Sequence, residues 1–114
     1  MTVMPIRLMA LVGEEIPAQE TRHVRGASGD GEEVMSWPDV VLLQADAAQG
    51  TMLYRYTSSG AFCGDTWHET VAAAKHQAEF EYGAALGAWV AVPDQIENAH
   101  DYAIRIAAAA GRGA

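Results

Sequence analysis

The chain has 114 residues, half of them hydrophobic and 19% charged, which is material for one buried core and too little chain for two domains. Fifteen acidic against seven basic residues give a formal net charge of -8, which argues against nucleic-acid backbone binding, since that needs clustered Lys and Arg. A single cysteine, Cys63, cannot form an internal disulfide, and no apolar run approaches the length a bilayer needs; a cytoplasmic protein without membrane attachment is expected.

Ile6 to Val12 reads as the first strand, with Ile6, Leu8, Ala10 and Val12 on one side and Met9 and Leu11 on the other. Apolar residues on both sides predict cover from two directions. Gly13 to Ser36 is a long polar stretch carrying Arg22, His23 and Arg25, then Gly26, Gly29 and Gly31, then Glu32 and Glu33. That composition predicts a mobile loop. Its GASGDG run neither follows a strand nor opens a helix, and Asp30 and Glu32 would repel phosphate, so no phosphate-binding loop is expected. Trp37-Pro38 ends the loop, and Val40 to Ala45 is a continuous apolar run of strand length. After a turn over Asp46 to Gly50, Met52 to Thr57 alternates Met52, Tyr54 and Tyr56 with Leu53 and Arg55, the pattern of a half-buried antiparallel strand. Ser58-Ser59-Gly60 turns the chain into Phe62 to Trp67, whose aromatic and polar alternation predicts another strand. Strands two, three and four therefore read as a meander.

Thr70 is the expected N-cap of the first helix, with Thr66 and Glu69 as a rival capping box that would draw Trp67 and His68 into the first turn. Val71, Ala74, Ala78, Tyr82 and Ala85 follow at helical spacing, and Gly83 is a natural stop. Phe80, with Ala73 and Ala84 beside it, points nearly opposite that stripe and predicts a second contact surface. Two covers are open for it: the C-terminal helix, or a second copy of the chain in a homodimer. Leu86 to Val92 alternates like a fifth strand. Pro93 and Asp94 are expected to open the last helix, reaching about Ala110, because Pro is tolerated where the first-turn N–H has no partner. Ile96, Ala99, Ala103, Ile106, Ala107 and Ala110 form its buried stripe, and Asp101 and Arg105 are spaced for a helical ion pair on the wet side.

The best chemical constellation is Asp65, His68 and Glu69 at the strand-to-helix junction, with His76 and Glu79 further along the helix. A carboxylate beside an imidazole can act as an oriented base or as a pair of metal ligands. The spacing of HETVAAAKH matches neither the HExxH pair of zinc proteases nor a finger with paired cysteines, so a structural turn is the favoured reading and no metal is expected. Cys63, in a strand with no neighbouring cation, reads as a small buried hydrophobe, and Ser58 and Ser59 lack a strained GxSxG setting. Of Trp37, Trp67 and Trp89, the one expected at the surface is Trp67, beside Asp65 and His68, where an exposed tryptophan would mark a binding hot spot.

The run GDTWHET, the helix with its QAxxE pattern at Gln77 to Glu81, the closing EYG and the later WVAVP from Trp89 to Pro93 resemble a group of short bacterial proteins of unknown function. That resemblance spans about Tyr54 to Pro93 and implies no activity. A weaker similarity, strand-turn-strand and then GDT before a helix, is to HicB-like antitoxins, from which this chain departs in Trp67-His68 and in lacking a basic tail.

The expected architecture is an α+β domain over residues 1–114, an antiparallel sheet of four or five strands with two helices packed on one face. The expected function is a non-catalytic protein-binding or regulatory module needing no cofactor. Its surface would be Asp65, Trp67, His68 and Glu69 with the 13–36 loop, and Ala73, Phe80 and Ala84 would be a self-association face. The alternative is a small-ligand or metal-binding enzyme using Asp65 and His68 in a pocket between sheet and helix.

Overall fold

The computed structural model describes residues 5–14, 37–46 and 48–111, together with the backbone of 23–25 and 32–34. The chain forms β1 (Ile6–Leu11), the short β2 (His23–Arg25) and β3 (Glu32–Val34), then β4 (Val40–Asp46), β5 (Gly50–Tyr56) and β6 (Phe62–His68). The helix α1 (Val71–Tyr82) follows, then the two-residue β7 (Val90–Ala91) and the helix α2 (Ala99–Ala109). Five strands make one sheet in the order β6-β5-β4-β1-β7, every neighbour antiparallel. The expected α+β class and the β4-β5-β6 meander are both present. β2 and β3 pair only with each other, inside the segment expected to be a mobile loop, most of which lies outside the described residues.

Two boundaries differ from expectation. Of the fifth strand read over Leu86 to Val92, only Val90 and Ala91 pair regularly, while Leu86 makes a lone bridge to Val12. Gly87 lies so close to β1 that an added Cβ would come to 3.0 Å from the Leu11 carbonyl oxygen. The last helix begins at Ala99 and not at Pro93, because Asn98 is its cap and accepts from the Asp101 N–H. The turn before it is held by Arg7, whose guanidinium donates to the carbonyls of Pro93, Asp94 and Ile96. α1 starts as expected, with Thr70 accepting from the Ala73 N–H, so the rival capping box is not formed and β6 runs on to His68.

The two helices do not share a face of the sheet, which corrects the expected packing. Strand side chains alternate, and β4 is apolar at every one of its first four positions, so both of its faces must be covered. Val41 and Leu43 pack with Ala74, Ala78 and Tyr82 of α1, whereas Val40 and Leu42 pack with Ala99, Ala103 and Ala107 of α2. β1 divides in the same way, Ala10 toward α1 and Met9 toward α2. Buried alanines on both helices let them lie close to the branched side chains of the sheet. α2 crosses β4 and β1, leaving the β5–β6 half of its face more open. No helix among the described residues is long and apolar enough to cross a membrane.

Candidate functional site

The open half of the α2 face is built by register. Antiparallel pairing sets Met52 opposite Trp67, Tyr54 opposite Asp65 and Tyr56 opposite Phe62, all on the same side of the sheet. Between the last two pairs β6 carries an extra residue, and Gly64 there has φ 103°, a backbone region that favours glycine. Trp67 is 56% exposed and Phe62 57%, an unusual exposure for aromatic rings on a packed sheet.

Trp67 is exposed and yet fixed. Its indole Nε1 donates to the Gln49 carbonyl at 2.8 Å, and the ring lies against Gly50. Gly50 has φ 89°, and a Cβ there would come within 2.6 Å of the indole nitrogen, so only glycine both makes this turn and leaves room for the ring. Asp46 secures the same turn by accepting from the Ala48 N–H at 2.7 Å. A depression of about 360 Å³ opens beside the ring over Met52, walled by Tyr54, Gln44 and Asp46. A second, of about 440 Å³, also borders the indole and is lined by Asp46, Glu69, Thr70 and Val71.

The row continues away from Trp67. His100 of α2 meets Tyr54 edge to face, with ring centroids 4.5 Å apart, and its Nδ1 lies 2.6 Å from the Tyr56 hydroxyl. Phe62 tilts against Tyr56 at 5.9 Å. Burial pushes the Tyr54 phenol up, and the negative charge of Asp65 across the strand pair pushes it further.

Of the four residues singled out in the sequence, Asp65 and Trp67 share this face. His68 does not, because alternation in β6 turns it, with Thr66, toward α1. Asp65 and His68 therefore do not converge as an enzyme's oriented base or a metal pair would require. Glu69 follows the strand and lines the second depression. No cluster of three or more metal-ligating side chains occurs among the described residues. Burial pushes the Cys63 thiol up, which disfavours the thiolate a nucleophile needs. On the far side of the molecule Phe80 is 58% exposed and Ala73 and Ala84 are exposed with it; the C-terminal helix, being on the other face of the sheet, does not provide its cover.

Beneath α1 lies a buried polar network that the sequence reading missed. Arg55 and Glu81 are both fully buried, joined by two bonds of 2.8 and 2.6 Å. Gln77 donates to the same carboxylate, and Arg55 also donates to Thr66 Oγ1 at 3.1 Å. Burial alone would push the Arg55 guanidinium down, but its bonds to Glu81 together with the charge of Glu81 and its interactions with Tyr82 outweigh this and push it up. Because Arg55 can only donate to Thr66, the threonine proton is free for His68 Nε2, 2.7 Å away. Thr66 and His68 of the GDTWH run thus meet Gln77 and Glu81 of the QAxxE run around one arginine. The available signal was phase: Arg55 shares the inward side of β5 with Leu53 and alternates with Tyr54 and Tyr56.

Burial pushes both His68 and His100 down, and at His68 the Arg55 charge adds to the effect. A histidine depressed in the folded state binds fewer protons there than when unfolded, so its contribution is full above the unfolded value near 6.5 and is lost as pH falls toward the folded one. Urea midpoints should fall between about pH 7 and about pH 5, and this part of the decline should flatten in the His68→Gln/His100→Gln variant. An equally steep decline in the variant would assign it to carboxylates.

Compared with known protein families, with curated proteins and with solved structures, the chain finds no match.

Proposed function

We propose that the chain is a small cytoplasmic, non-catalytic protein-binding module that docks a partner on the open β5–β6 half of its sheet, centred on Trp67. The observation that carries this reading is the combination of exposure and fixation at Trp67: 56% of the residue is accessible while its indole is bonded to Gln49 and seated on Gly50. A large ring held in place before binding loses little conformational freedom on docking, which is why such tryptophans serve as anchors. Tyr54, Tyr56 and Phe62 extend the same surface along the strands. The divergence of Asp65 from His68 supports binding over acid–base chemistry.

The test is affinity for a partner captured from cell extract and then purified. Trp67→Ala should weaken binding by about 2 kcal/mol, roughly thirtyfold, with little change in melting temperature. Gly50→Ala should weaken it too by displacing the indole, and should cost about 1–2 kcal/mol of stability through its positive φ. His68→Ala should leave affinity unchanged, since that side chain faces α1. Equal affinity of the wild type and Trp67→Ala would remove the proposed surface.

A further inference from the structure

We infer that the fixed indole of Trp67, set among Asp46, Asp65 and Glu69, is the seat for an arginine side chain presented by a basic segment of the protein partner. The inference rests on the docking surface proposed above and names the chemistry of what docks there.

Charge is the first argument. Asp46 borders both depressions that the indole lines, Glu69 borders one of them, and Asp65 lies two residues before Trp67 on the same face. No Lys or Arg is among the residues lining either depression. The nearby described cation in the sheet register is Arg7, opposite Gln44, and its guanidinium is occupied by the carbonyls that precede α2. Arg55 is buried against Glu81 beneath the other face, and Arg105 is paired with Asp101. The remaining described cation, Lys75 of α1, lines neither depression, so the negative field around Trp67 is not answered by it or by these three arginines. With a net charge of -8 on the whole chain, the complementary partner surface is basic.

Ring chemistry is the second. An indole face attracts a cation through its quadrupole, and tryptophan does so best among the aromatic side chains. A guanidinium is planar and weakly hydrated, so it can lie on the ring while its N–H groups reach a carboxylate. Lysine satisfies the charge but not the stacking. A purely apolar side chain would use Met52 and Tyr54 and leave the flanking carboxylates without a counter-charge.

The experiment uses immobilised pools of short degenerate peptides, identical except for a fixed central residue: arginine, lysine, citrulline, leucine or glutamate. Retention of the full chain is measured for the wild type, for Trp67→Ala and for Asp46→Asn/Asp65→Asn/Glu69→Gln, with melting temperature as the folding control. The arginine pool should retain the wild type about tenfold more than the citrulline pool, which has the same shape without the charge. That excess should disappear in Trp67→Ala and fall severalfold in the carboxamide variant. Equal or greater retention on leucine or citrulline, lost in Trp67→Ala, would overturn the cation inference and leave the docking surface standing. Retention on no pool above the Trp67→Ala background would overturn the docking surface and the inference with it.

Discussion

Arg55→Met is expected to destabilise the domain by about 3–5 kcal/mol, and Arg55→Met/Glu81→Leu to recover most of that loss. Both side chains of the pair have no exposed surface, so removing one leaves the other charged and uncompensated inside the protein. The pair in place is a different matter. Its mutual attraction and the further bonds from Gln77 and to Thr66 roughly offset the cost of taking two charges out of water. Replacing both by apolar groups of similar volume removes cost and gain together. Urea unfolding of Arg55→Met, Glu81→Leu and the double variant measures this directly, with the slope of the transition checking that the unfolded state is unchanged. A single-variant cost below about 1 kcal/mol would place the pair in contact with water, where ion pairs contribute that little. Since a domain's whole stability is about 5–15 kcal/mol, the single variants test whether the network is a condition of folding. Its geometry fits that role, tying the end of β5 to the last turn of α1 and reaching β6 through Thr66.

Phase errors, more than element errors, separate the sequence reading from the structure. The long strands and α1 are where hydrophobic periodicity puts them, α2 starts about a turn and a half later than read, and Thr70 and Gly83 bound α1 through the chemistry expected of a cap and a stop. The packing of both helices on one face conflicted with a signal already present. Val40 to Leu43 is apolar without alternation, and β1 has apolar residues on both sides, which together require two covering layers. At the site, Trp67 was legible as the exposed tryptophan, because a polar neighbourhood at a strand end leaves a large ring only partly covered. Grouping His68 with Asp65 fails because β6 continues through His68 and alternation separates residues three apart. Gln49 and Gly50, which fix the indole, are distant in sequence and meet it only through the β5–β6 register. No local pattern announces such a contact. The same holds for Glu81 and Arg55, whose partnership depends on how the helix is laid over the sheet.

Leu42→Ala and Leu43→Ala test that layering, and each is expected to cost about 2–5 kcal/mol. Both leucines are fully buried, Leu42 among the α2 alanines and Leu43 among those of α1. Were both helices on one face, one of these neighbours would point to solvent and its truncation would stay within about 0.5 kcal/mol. Amide exchange should separate the two, with Leu42→Ala opening α2 preferentially and Leu43→Ala opening α1. The docking surface then distinguishes them as well. Leu42 is the cross-strand partner of Tyr54, and Tyr54 rests on His100 of α2, so a cavity at Leu42 loosens the floor beside Trp67. Leu43 pairs with Leu53 on the opposite side and supports no residue of that surface. At matched loss of stability, Leu42→Ala should weaken partner binding more than Leu43→Ala, measured as the ratio of dissociation constants at a temperature where both remain folded. Equal effects would mean that Trp67 alone, anchored by Gln49 and Gly50, sets the affinity, and that the aromatic row along β5 contributes area without energy.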